Sequence, residues 1–75
     1  MRALVFKIYV DKLVTKDWSH WKRADQEHIK EVANQNGVLL AWELDGFDTV
    51  TFKGSPEELF NFMYDVAYRY DIEII

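Results

Sequence analysis

Seventy-five residues allow one thin core, because a chain this short buries only about 60% of the surface it exposes when unfolded. Hydrophobic residues at 49% and aromatics at 16% suffice for that core to form unaided, and the absence of cysteine removes disulfides, thiolate metal sites and cysteine nucleophiles together. A formal charge of −4 argues against a strong nonspecific hold on nucleic acid or on an anionic membrane, both of which need a basic surface overall.

The opening MRALVFKIYV is broken by Lys7 and followed by Asp11, so it is expected to be neither a membrane span nor a leader peptide. A soluble chain in a reducing cytoplasm, with no membrane partner, is the expectation. Residues 2–10 alternate Leu4, Phe6, Ile8 and Val10 against Ala3, Val5, Lys7 and Tyr9, which predicts a strand with the first set inward. The outer set is unusually apolar at Val5 and Tyr9.

Residues 11–16 show no clear period. Asp17 is then expected to cap a helix running to Asn36, along which Trp18, Trp21, Ala24, His28, Ile29, Val32 and Ala33 recur at three- and four-residue steps. A start near Asp25 is the alternative, and it would leave Trp18 and Trp21 in a loop. Asn36-Gly37 is a good helix exit, with Gly37 in the left-handed conformation.

Asp45-Gly46 between 38–44 and 47–53 is a strong hairpin signal. A three-residue loop with Gly46 in a bulge pairs Val38 and Leu40 with Phe52 and Val50 in the core and leaves Leu39, Ala41, Thr49 and Thr51 outside. That register separates apolar from polar better than a two-residue turn, which would also oppose Glu43 to Asp48.

Ser55-Pro56-Glu57-Glu58 reads as a capping box with proline at the first helical position. In the helix that follows, Leu59, Phe62, Met63, Val66 and Tyr70 form one apolar stripe, and Phe60, Tyr64, Ala67 and Tyr68 form a second. Residues 71–75 close the chain as a strand with Ile72 and Ile74 inward. The order β-α-β-β-α-β predicts an α+β class, a single ferredoxin-like domain over 1–75: a four-stranded antiparallel sheet with two helices on one face.

No catalytic constellation emerges, and an enzyme is not expected. Ser55 is committed to its cap, Ser19 and His20 are neighbours that do not face each other on a helix, and the three glycines fall at turns rather than in phosphate-binding motifs. Asp17, His20, Asp25 and His28 are candidate ligands, but His20 and His28 stand two turns, about 12 Å, apart on one helix. No metal or cofactor is therefore predicted.

Binding to another protein is the leading expectation, as a homodimer or as an inhibitor or regulator of a larger protein. Phe60, Tyr64 and Tyr68 on the second helix, with Val5, Tyr9 and Leu39 on the sheet, are the candidate contact residues. The simpler account of the second stripe is that the first helix covers it through Trp21, Ile29 and Val32. As a class, compact acidic chains of this kind resemble phage-encoded host-takeover and anti-defence proteins.

Single-stranded nucleic acid is the alternative partner, through Lys12, Lys16, Trp18, Trp21, Lys22 and Arg23, where basic and aromatic residues interleave. Glu27 and Glu31 partly neutralise that region, and Tyr9 is the one aromatic at the outward positions of the two central strands. A second alternative is a regulatory domain for a small ligand, for which no residue selects a chemistry.

Overall fold

The computed structural model describes residues 3–44 and 48–75, with the backbone alone for 42–44. The strands are β1 (Leu4–Ile8), β2 (Lys12–Thr15), β3 (Leu39–Leu44), β4 (Thr49–Lys53) and β5 (Ile72–Ile74), and the helices are α1 (Arg23–Gln35) and α2 (Pro56–Arg69). The sheet order is β3-β4-β2-β1-β5, antiparallel throughout except for the parallel pair β1/β5. The α+β class holds, but the expected sheet of four antiparallel strands is corrected to five strands of mixed direction.

The difference originates at residues 9–16. Tyr9 donates its N–H to the Lys12 carbonyl at 2.8 Å, so the chain reverses at Val10-Asp11 and returns as β2, with Ile8 opposite Leu13 and Phe6 opposite Thr15. The first strand is thus shorter than predicted, and Val10 lies at the turn, 81% exposed instead of inward. β2 lies between β1 and β4 in the sheet. The closing strand still pairs with β1, now in parallel.

The second correction concerns the first helix. Asp17 does not cap it: Asp17 is left-handed at φ 55°, makes no side-chain cap bond, and precedes a short 3₁₀ turn at Trp18–His20, while α1 begins only at Arg23. In a 3₁₀ helix residues i and i+3 eclipse, which brings the Trp18 and Trp21 rings to 5.2 Å. Gln26 ties this turn to α1 by donating to the Trp18 carbonyl at 2.6 Å. The exit of α1 is as expected, with Gly37 at φ 76°. The Val38 N–H reaches the Ala33 carbonyl and the Gly37 N–H reaches the Asn34 carbonyl, the paired bonds of a Schellman motif.

The capping box of α2 forms in both directions, Ser55 N–H to Glu58 Oε1 at 2.9 Å and Glu58 N–H to Ser55 Oγ at 3.2 Å. In the β3/β4 hairpin, Leu40 sits opposite Phe52 as the preferred register requires, but it is exposed rather than in the core, and the register then shifts between Leu40 and Trp42. The predicted turn at Asp45-Gly46 lies outside the described residues. Thr49, expected outside, is buried.

One core joins sheet and helices: Leu4, Phe6, Leu13, Val50 and Phe52 from the strands, Trp18 from the 3₁₀ turn, Ile29, Val32 and Ala33 from α1, and Leu59, Phe62, Met63 and Val66 from α2. Phe62 is its hub, with ring centroids 5.1 Å from Phe52 and 6.3 Å from Phe6. Both helices therefore lie on the same face of the sheet, which leaves the other face open. Among the described residues no helix is long and apolar enough to cross a membrane.

Candidate functional site

The second stripe of α2 is exposed. Phe60 is 62% exposed, Tyr64 68% and Tyr68 92%, so the expectation that α1 covers them is corrected. At 100° per residue the stripe starts on the flank of α2 away from α1 and turns onto the outer face. The side of α2 that meets α1 carries Asp65 and Arg69, and its contacts are polar: Asn36 Nδ2 to Asp65 Oδ2 at 2.9 Å and Arg69 to His28 Nε2 at 3.2 Å. Phe60 and Tyr64 pack on each other at 6.5 Å between centroids.

Beside Phe60 lies an apolar groove of about 320 Å³, lined by Ile8, Tyr9, Val10, Pro56, Leu59 and Met63 along with Phe60 itself. Sequence reasoning missed Ile8 and Val10 as surface residues because it assigned both to the core. The signal was present in Asp11, which a buried strand would not tolerate at its end without a turn.

Of the remaining protein-binding candidates, Val5 and Leu39 belong to the opposite side of the molecule, and Tyr9 stands at the edge between the two, lining the groove as well. Pairing places them on the open sheet face. One row across the strands reads Tyr9, Lys12, Lys53 and Leu39, the next Lys7, Val14 and Thr51, and the third Glu73, Val5 and Lys16. The Lys7 and Lys12 ammonium groups sit 5.6 and 4.9 Å from the centre of the Tyr9 ring.

The nucleic-acid candidates are separated by the fold. Trp18 is 6% exposed and packs on Phe52, and Trp21 is half-buried against the core. Neither presents a free ring, while Lys22 and Arg23 are exposed at the start of α1. Lys12 and Lys16 join the open sheet face instead.

Two polar clusters link distant segments. Asp48, left-handed at φ 54°, accepts from the Ser19 N–H at 2.9 Å and from Ser19 Oγ at 2.6 Å. These bonds hold its carboxyl below the usual carboxylate range. Asp17, His20 and Asp48 each offer one ligand atom within 4.8 Å of the others, and the Ser19 bonds account for the position of Asp48.

The second cluster closes the α1/α2 seam beside an open groove of about 580 Å³. Arg69 has no acceptor, so it donates to His28 Nε2. The neutral His28 ring then carries its hydrogen on Nδ1 and donates to the Tyr70 oxygen at 3.2 Å, and Tyr70 donates to Asp25 Oδ1 at 3.1 Å. Burial, together with the Asp25 bond, pushes the Tyr70 hydroxyl above its ordinary pKa. Arg69, His28, Tyr70 and Asp25 satisfy one another in a fixed direction, an arrangement suited to a structural clasp. Comparison with known protein families, curated proteins and solved structures finds no match to the chain.

Proposed function

We propose that this protein is a noncatalytic protein-binding module that docks on its partner, a second copy or a larger protein that it regulates or inhibits, through the outer face of α2. The observation that carries this reading is the exposure of three aromatics at i, i+4 and i+8 on a helix whose inner face is fully used by the core. Burying such rings is the main source of affinity at protein interfaces. The groove beside Phe60 adds apolar area, and the tyrosine hydroxyls allow the same surface to be solvated when unoccupied. An interface of standard size takes about 800 Å² from each partner, roughly a sixth of the 5155 Å² surface.

Sedimentation from micromolar to millimolar concentration, with the wild type beside a Tyr64→Ser/Tyr68→Ser variant, tests the self-association form. The expected result is a mass rising above 9.0 kDa for the wild type alone. If the chain stays monomeric, and an affinity pull-down from the native host enriches the same proteins with and without the two substitutions, the reading is wrong.

A further inference from the structure

We propose that the open face of the sheet binds single-stranded nucleic acid, seating a base on Tyr9 and phosphates on Lys7, Lys12, Lys16 and Lys53. The lysines of this surface lie opposite the α2 aromatics and do not rest on the docking reading, while Tyr9 stands at the edge shared with the groove beside Phe60. Its first support is charge placement. The protein has nine lysines and arginines against thirteen acids, yet four lysines stand at outward positions of β1, β2 and β4 or directly after β2, and Glu73 beyond Val5 is the acid at the outward positions of β1, β2, β4 and β5. Strand spacing of about 4.8 Å and a rise of about 3.4 Å per residue confine these lysines to a patch about 10 by 14 Å.

The second support is that the patch is self-repelling as built. Lys12 and Lys53 are directly opposed across β2 and β4, a like-charge pair that costs stability. Among the described residues the ion pairs are His20–Asp17 and Lys30–Glu27, so no carboxylate there lies within 4.0 Å of any of the four lysines. An anion supplied from outside relieves the repulsion.

The third support selects the kind of anion. The Tyr9 ring is 42% exposed, and the Lys7 and Lys12 ammonium groups lie over it, 5.6 and 4.9 Å from its centre. A flat aromatic that holds two cations matches the nucleotide unit, a flat base joined to phosphates: phosphates that pair with the two ammonium groups draw them off the ring and free its face for the base. Stacking on an aromatic is sequence-tolerant and available only where bases are unpaired, which favours a single strand over a duplex. An acidic peptide would satisfy the lysines but leave Tyr9 without a stacking partner. The acids Glu27, Glu31, Glu57 and Asp65 on the helices repel phosphate from the other side, so a protein of net charge −4 is compatible with binding on one face alone.

Fluorescence anisotropy of a labelled single-stranded oligonucleotide at low salt is the test. The expected affinity falls with salt with a log–log slope of about −2 to −3, as three to four phosphate contacts require. Lys12→Glu/Lys53→Glu should weaken binding by about tenfold or more, and Tyr9→Ser by about fivefold or more. Lys22→Glu/Arg23→Glu should leave it unchanged. Circular dichroism separates loss of binding from loss of fold; Lys12→Glu alone opposes a carboxylate to Lys53 and should raise the melting temperature slightly. No binding at low salt overturns the proposal, as does equal affinity for polyglutamate, for duplex of the same length or for anionic vesicles. Loss of binding in the Lys22/Arg23 variant but not in the Lys12/Lys53 variant overturns the location.

Discussion

The two sides of α2 are built from different chemistry. Toward α1, Asp65, Arg69 and the following Tyr70 are held by Asn36, His28 and Asp25, each contact with a named donor and acceptor. On the outer side Phe60, Tyr64 and Tyr68 contribute ring area with little burial. A seam that must orient two helices gains from directional bonds, whereas a surface that closes only on association gains from area without fixed partners. The aromatic side is therefore expected to contribute less to folding than the polar seam, whose bonds are each worth about 1 kcal/mol.

Replacing one phenylalanine on the core face of α2 and one on its aromatic side gives the largest contrast. Phe62→Ala removes the ring that bridges Phe6 and Phe52 and should cost about 3–5 kcal/mol, a large fraction of the stability of a small domain. Phe60→Ser, two residues earlier, should change stability by only about 0.5 kcal/mol. Chemical denaturation of both variants measures the difference, and similar losses would place Phe60 inside the folding unit with the core.

Ser55→Ala acts upstream of both sides. Losing the bond to the Glu58 N–H should cost about 1 kcal/mol, with α2 fraying first at Pro56–Leu59. Hydrogen exchange should show faster exchange in the first turn while Tyr70 and the seam stay protected. Uniform acceleration along α2 would mean that the seam does not hold the helix independently of its cap.

The capping box was legible in the sequence because every atom in it lies within four residues, and the same is true of Asn36-Gly37 at the end of α1. β2 was not. Lys12–Thr15 reads polar, apolar, apolar, polar, with no period-two alternation to mark a strand, and the turn before it, Val10-Asp11, contains neither glycine, asparagine nor proline. The three-residue spacing of Trp18 and Trp21 fits an α-helix and a 3₁₀ turn equally, so their burial could not be distinguished from a helical face. Whether α1 covers Tyr64 and Tyr68 depends on contacts such as Asn36–Asp65, twenty-nine residues apart, which no local pattern encodes. The lysine ladder was hidden for the same reason, since Lys53 meets Lys12 only through β2.

The seam also predicts a response to alkali. Tyr70 has a folded-state pKa raised above that of the unfolded chain, by burial first and by Asp25 second. The folded protein thus retains the phenolic proton where the unfolded chain has lost it, so the stabilisation is complete below about pH 10 and is lost as pH rises through the folded value. Tyr70→Phe should cost at most about 1 kcal/mol at neutral pH, and its melting temperature should fall less steeply than that of the wild type above pH 10. Equal slopes would detach Tyr70 from the clasp.

Asp48 gives the complementary acid response. Its folded-state pKa is depressed by the bonds from Ser19, so its contribution is present above the unfolded carboxylate range and fades as pH falls through the lower folded value. Ser19→Ala should flatten that acid limb without altering the alkaline one, which titration of the melting temperature in both variants reads directly.

The smallest expected effect on stability is at Tyr68, which is 92% exposed. Tyr68→Ser removes almost no buried area, so denaturation should place the variant within about 0.5 kcal/mol of the wild type. Binding should behave oppositely, because an aromatic idle in the free protein contributes only when a partner desolvates it. Conversely, a Tyr68→Ser loss well above that range, with association intact, would place the ring inside the folding unit and leave Phe60 and the groove beside it as the surface still available for docking.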